Sequence, residues 1–450
     1  MTAEPLAFGP DFRWGVSTSA YQIEGAVTEG GRGPSTWDTF CAEPGRVLDG
    51  DTGAVACDHY YRYAEDVALM RDLGVDVYRF SFSWPRIQPS GAGPANAAGL
   101  DFYDRLIDSL LAAGIQPAPT LFHWDTPQAL EDAGGWTSRD ITSRFADYAT
   151  ILAGRFADRV PMWMTINEPV VLTLLGYAVG GHAPGRSLGF EALPVAHHQL
   201  LAHGRAVQAL RAGGASNIGI ASNHAPTWPA SDSPEDVEAA GLYDNLVNWL
   251  FADPVLLGEY PSGMGEAMPG PVAEDLSVIS TPLDWFGLNH YAPVLVGAPT
   301  GDPDTAATDG IPLPPGLPFE PRPLEGYPKT DFGWPVVPDA FAEILRTFKT
   351  RYGDRLPPIY ITENGCAIND GVDDQRRIDY LDGYLRALKQ VIADDIDVRG
   401  YFQWSLLDNF EWSAGYSQRF GLVHVDYKTQ QRTPKASYHW YRDLITQSRK

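Results

Sequence analysis

VPMWMTINE (160–168) is a short apolar and β-branched run that stops on a polar pair, Asn167 and Glu168. Its length and its Val, Thr and Ile suit a buried strand better than a helix. PIYITENG (358–365) repeats the design and carries Glu363 and Asn364 at its end. Working outward, six more segments read as buried strands bounded by Gly, Pro or Asn. They are FRWGVSTSAY (12–21), VDVYRFSFSW (75–84), IQPAPTLFHW (115–124), NIGIASNH (217–224), LDWFGLNHY (283–291) and VRGYFQWSLLD (398–408).

Between them, apolar residues recur at helical spacing over 61–74, 100–114, 138–156, 195–212, 337–352 and 375–392, and several of these stretches close on Gly. Alternating strands and helices predict an α/β fold, a single (β/α)8 TIM barrel with extended βα loops spanning residues 1–450. A doubly wound open sheet is the rival. The GxGxxG turn is absent after the first strand, and a count of eight favours closure. Residues 297–330 are crowded with Pro and Gly. Two further strands follow them, so they read as a long loop over the active-site face of one barrel rather than as a linker.

The net charge of −24 disfavours a nucleic acid or an anionic membrane as partner and fits a neutral small-molecule ligand. Three cysteines without CxxC spacing suggest reduced thiols in a cytoplasm. The N-terminal stretch has no basic start and no apolar core of a signal peptide, and no apolar run reaches the ~20 residues a membrane span needs. No HxH or HExxH spacing occurs among the ten histidines, so neither a metal nor a cofactor is expected.

Barrel enzymes carry their chemistry on the C-terminal ends of the strands. Those ends present Gln22, Arg79, His123, Glu168, Asn223, Asn289 with Tyr291, Glu363 and Trp404 in order. One such residue is an ordinary loop residue; one per strand is a pattern. Glu168 and Glu363 close the fourth and seventh strands, which are expected to face each other across the barrel. Two carboxylates flanking a bond are what glycoside cleavage requires: one protonated acid and one ionised group. Arg79 could keep one of them charged, because a nearby cation lowers its pKa, and Tyr291 could do so by donating a hydrogen bond. Plain core packing is the competing reading for Trp404, and a hydrogen-bonded barrel histidine the competing reading for His123.

The chain resembles glycoside hydrolase family one, the β-glucosidase family, along nearly its whole length. The resemblance is carried by FRWGVSTSAYQIEGA (12–26), ACDHYYRYAEDVALM (56–70), YRFSFSWPRI (78–87), TLFHWDTPQAL (120–130), TINEP (165–169), GHAPG (181–185), YITENG (360–365) and WSLLDNFEW (404–412). It implies that Glu168 is the general acid/base and Glu363 the nucleophile, with Arg79 and Tyr291 supporting the nucleophile. It also implies that Asn167 binds the sugar 2-hydroxyl, and that Gln22, His123, Trp124, Glu411 and Trp412 grip the remaining hydroxyls. Trp404 would be the floor under the sugar, Asn289 a further polar contributor, and Trp334 a wall for the leaving group.

Glu rather than Gln at 168 implies an O-glycosidase rather than a thioglycosidase, and Glu411 implies a sugar without a 6-phosphate. The reading is therefore a retaining β-glucosidase acting on terminal β-D-glucosyl residues. A broader β-galactosidase or β-fucosidase and a transglycosidase are alternatives, and a non-catalytic sugar-binding barrel is disfavoured by the presence of both glutamates. His290, where many members have Tyr, is expected to point away from the site by strand alternation.

Overall fold

The computed structural model describes residues 6–301, 307–308, 311–313 and 316–449. Eight parallel strands close into a barrel. They are β1 (Arg13–Ser17), β2 (Val77–Ser81), β3 (Gln116–Phe122), β4 (Trp163–Asn167), β5 (Ile218–Asn223), β6 (Phe286–Asn289), β7 (Ile359–Asn364) and β8 (Val398–Trp404). Each pairs with its neighbours in sequence, and β8 closes on β1 through Ser17 opposite Trp404. All eight lie within the bounds read from the sequence.

A helix follows every strand: α1 (His59–Leu73), α2 (Ala97–Ala112), α3 (Ile141–Phe156), α4 (Leu193–Ala212), α5 (Val272–Ile279), α6 (Pro338–Tyr352), α7 (Gln375–Ala393) and α8 (Ala436–Ser448). Periodicity missed α5, α8 and the extra helices Pro234–Asp244 and Leu250–Leu256. Pro254 sits inside one of them, and such breaks hide helical spacing.

The strands are apolar on both faces because helices cover the outside and the interior is filled. Tyr78, Phe80, Ile166, Ile220, Leu288 and Ile361 pack outward into the main core with Leu106, Phe145, Leu152 and Leu345 of the helices. Inside, Val77, Ala118, Met164, Ala221 and Phe402 form a separate apolar plug. Gly15 makes room for it, since a Cβ there would come within 2.4 Å of the Phe402 ring. The plug gives the polar residues above it a rigid, dry floor.

Two expectations need correction. In the closed order, β4 and β7 are separated by β5 and β6 on one side and by four strands on the other, so they do not face each other squarely. Proximity of their side chains comes from inward reach, not from diametric position. Arg79 lies in the middle of β2 rather than at its end, and Gln22 lies beyond β1 in a short helix, Ala20–Ile23.

The 297–330 segment is not irregular throughout. It begins at the end of a strand, Val294–Gly297, which pairs parallel to Thr227–Pro229 and antiparallel to Glu320–Arg322. Residues 302–306, 309–310 and 314–315 of this stretch lie outside the described residues. No helix among the described residues is long and apolar enough to cross a membrane.

Candidate active site

Strict alternation along a strand cannot bring both glutamates inward, and the register shows how it is broken. On β4, Met164 pairs with Gly219 but Asn167 pairs with Ala221, so β4 carries one extra residue between them. Thr165 bonds His203 of α4 and Ile166 packs into the outer core, two consecutive outward residues. Asn167 then turns in and bonds Arg79. On β7, Ile361 pairs with Leu288 but Glu363 pairs with Asn289, which leaves Thr362 as the extra residue. Thr362 and Glu363 consequently both reach inward, one to Asn289 and the other to Arg79. A bulge re-aims the side chains that follow it, and here one precedes each glutamate.

The two carboxyl groups meet different partners. Glu363 accepts from Arg79 Nη1 at 2.5 Å on one oxygen and from the Tyr291 hydroxyl at 2.6 Å on the other. Both oxygens thus face donors, the environment of an acceptor-only carboxylate. Arg79 is itself fixed by the Thr362 carbonyl at 3.0 Å and by Asn167 Oδ1 at 2.6 Å. Tyr291 stays a phenol because burial, with the charges of Glu363 and Glu168, raises its pKa well above the usual value.

Glu168 receives only neutral amide donors, Asn289 Nδ2 at 2.7 Å and Asn223 Nδ2 at 3.2 Å, both on one oxygen. Burial and the Glu363 charge push its pKa up to about 8, against the opposing pull of those amides and of Arg79. Near neutral pH it is a carboxylic acid.

A cavity of about 640 Å³ opens over the pair and is lined by Glu168, Glu363, His123, Trp124, Tyr291, Trp334, Trp404, Glu411 and Trp412, among others. Trp404 is almost fully buried, and its ring stacks on His123 at 5.8 Å. Trp412 packs against Trp124 with ring centroids 4.7 Å apart, and Trp334 against Tyr291 at 5.2 Å. Glu168, Trp124 and Trp412 hold positive φ angles of 41°, 74° and 52°. Non-glycine residues in that region carry backbone strain, which the surrounding packing maintains.

Four of the expected residues stand behind the lining rather than on it. Arg79, Asn167, Asn289 and Gln22 are fully buried. Asn167 Oδ1 accepts from Arg79 and from Asn289, so its Nδ2 faces His123 Nε2 at 3.1 Å and donates there. The His123 proton therefore sits on Nδ1, and burial with the Arg79 charge keeps the ring neutral. The Gln22 amide nitrogen is engaged by Asn409 Oδ1 at 3.1 Å and the Phe410 carbonyl at 2.9 Å, which ties it to the loop that carries Glu411 and Trp412.

His290 is buried against Phe341 at 5.2 Å and bonds the His224 carbonyl, on the helix side of the barrel. Asn223, noted in the sequence as one polar strand end among several, emerges as a partner of Glu168. Thr362, Thr120 and Asn409 were missed. Their hydroxyl and amide groups bond Asn289, Arg79 and Gln22, and no local sequence signal marks such supporting contacts.

A barrel mouth that holds one doubly hydrogen-bonded carboxylate beside a protonated carboxylic acid presents the two carboxyl states that glycoside hydrolysis requires. The sequence profile of glycosyl hydrolase family 1 matches residues 5–450. Beta-glucosidase A of Acetivibrio thermocellus is 43% identical over 455 residues, covering 98% of each chain. The bifunctional beta-D-glucosidase/beta-D-fucosidase of Bifidobacterium breve is 42% identical over 462 residues, again covering 98% of each. The crystal structure of the psychrophilic beta-glucosidase BglU from Micrococcus antarcticus superposes with a TM-score of 0.93 at 45% identity, covering 99% of this chain and 98% of that one. The chain belongs to glycosyl hydrolase family 1, and it is an enzyme.

Proposed function

We propose that this chain is a retaining β-glucosidase in which Glu363 is the nucleophile and Glu168 the general acid/base. The observation that carries the reading is the contrast between the two carboxyl groups. Glu363 has a guanidinium and a phenol on its oxygens, whereas Glu168 has neutral amides and a pKa raised to about 8. In the first half-reaction, Glu363 attacks the anomeric carbon while Glu168 gives its proton to the departing oxygen. In the second, Glu168 takes a proton from water, which attacks the glycosyl-enzyme and frees the sugar with its β-configuration.

His123, Trp124, Glu411 and Trp412 would grip the sugar hydroxyls, and Trp404 would underlie the ring. Gln22, Asn167 and Asn289 would act one layer back unless a bound sugar draws them forward. Trp334, with Pro323 and Leu324 from the 297–330 segment, would wall the leaving-group side of a single catalytic barrel. The β-anomer of glucose is expected to form first when an aryl β-glucoside is hydrolysed in an NMR tube. Initial appearance of the α-anomer would refute double displacement. The name of the Bifidobacterium relative supports a second reading in which β-fucosides are also accepted. Comparing kcat/KM for aryl β-glucoside, β-fucoside and β-galactoside separates the two.

The pH dependence follows from the Glu168 environment. Since the acid must carry its proton in the first step, kcat/KM is expected to fall on the alkaline side near pH 8, where Glu168 ionises. The Asn289 amide favours the ionised form by donating to it at 2.7 Å. Asn289→Ala is therefore expected to move the alkaline limb upward by up to about one pH unit, the scale of one lost hydrogen bond. A downward move would contradict the assignment of the limb to Glu168.

A further inference from the structure

The chain between β8 and α8 carries Glu411 and Trp412 into the catalytic cavity, and a buried ion pair joins its two ends. Lys435, the residue before α8, donates from Nζ at 2.7 Å to Oδ1 of Asp408, which follows soon after β8. Neither side chain reaches solvent. The Gly421 backbone N–H donates to the same oxygen at 3.0 Å, and Arg419 Nη1 donates to Oδ2 at 2.8 Å. Burial would raise the pKa of Asp408, but the Lys435 charge, with His424 and Arg419, holds it well below the usual carboxylate range. One carboxylate thus gathers the start, the middle and the end of the connection.

Asp408, Arg419 and Lys435 do not line the cavity, yet the backbone between the ion pair and the site is held at each step. The Asp408 carbonyl accepts from Cys57 Sγ at 3.1 Å, and the Asn409 carbonyl from the Tyr427 hydroxyl at 3.1 Å. Phe410 is fully buried and donates its N–H to the Gln22 carbonyl at 3.2 Å. Glu411 comes next and donates its own N–H to the Gly415 carbonyl at 2.7 Å. Each residue from Asp408 to Glu411 is thus tied, and a shift of the first carries through to the last. A buried ion pair adds little net stability over apolar side chains of the same volume, because desolvation cancels most of the attraction. What it supplies is a fixed register between the two groups it joins.

We propose that the Asp408–Lys435 pair positions Glu411, and so sets the preference for sugars that carry a 6-hydroxyl. The inference rests on the β-glucosidase reading, in which Glu411 meets the sugar where a 6-phosphate would be repelled. It gives the pair a part in substrate choice that is exerted through the loop, without contact to the sugar. An aryl β-xyloside lacks the C6 hydroxymethyl group and is the matching control substrate.

The test is kcat/KM for aryl β-glucoside and aryl β-xyloside in the wild type, Lys435→Met, Glu411→Ala and the double variant. Lys435→Met keeps most of the side-chain stem and removes its charge. The glucoside-to-xyloside ratio should fall about tenfold in it, the scale of one hydrogen bond to a charged group. Glu411→Ala should lower the ratio at least as far. The double variant should go no further than Glu411→Ala alone, because groups that act as one unit are not additive. A general loss of folded or active protein cancels from the ratio. If Lys435→Met does not fold, Arg419→Gln removes the partly exposed donor on the other Asp408 oxygen and should lower the same ratio to a smaller extent. An unchanged ratio in a folded variant, or a fall that adds fully to that of Glu411→Ala, overturns the positioning role while leaving the glucosidase reading intact. A wild type that cleaves neither glycoside overturns that reading, and the proposal with it.

Discussion

Glu363→Gly is expected to lower hydrolysis of an aryl β-glucoside by a factor on the order of 10⁴–10⁶, the scale on which loss of a covalent nucleophile acts. Arg79 and Tyr291 both aim donors at this carboxylate, so removing it takes the counter-charge from the buried cation and the acceptor from the phenol. The protein should remain folded, because the Arg79 guanidinium keeps the Thr362 carbonyl and Asn167 as partners. The glycine also opens a small space beneath the anomeric carbon. An α-glucosyl fluoride has the anomeric configuration of the missing covalent intermediate and fits that space. Glu168 can still take a proton from an acceptor alcohol, so the alcohol displaces fluoride and a β-glucoside accumulates. Retained hydrolysis at wild-type rates, or no transfer from the fluoride by a folded variant, would defeat the nucleophile assignment.

Glu168→Ala is expected to divide substrates by leaving group. An alkyl glucoside needs a proton on its departing oxygen, and loss of the acid should cost about 10²–10⁴-fold in kcat/KM. A dinitrophenolate leaves without that help, so its glycosylation step should be nearly unaffected and the glycosyl-enzyme should build up. Azide needs no base to attack the intermediate and should restore turnover, with β-glucosyl azide as the product. The alkaline limb near pH 8 should also disappear, because the group that sets it is gone. Equal losses for both leaving groups would mark Glu168 as a binding group rather than the acid.

Much of this was legible along the chain. The eight strands were visible because each is a short apolar run stopped by polar or turn residues, and burial on both faces demands such runs. Glu168 and Glu363 stood out because each ends such a run beside an Asn. Helices with one clean apolar face, α2, α3, α6 and α7, were found. The insert after β5 was not, because Pro254 and its π-helical stretch disturb the spacing and its contacts are shared with a small accessory sheet.

The sequence by itself determined the alternation of strand and helix, the presence of two glutamates at strand mouths and the membership of a family. Those follow from hydrophobic period and local chemistry, which are properties of neighbours in the chain. Only the tertiary structure decided that a bulge on β7 turns Glu363 inward and one on β4 turns Asn167 inward, just before Glu168, since a register shift exists only against a paired strand. It also decided which carboxyl group has the cation and which is left to burial. Arg79 and Glu363 are 284 residues apart, and Glu168 acquires its raised pKa from burial and then from the Glu363 charge, neither of which any segment carries alone.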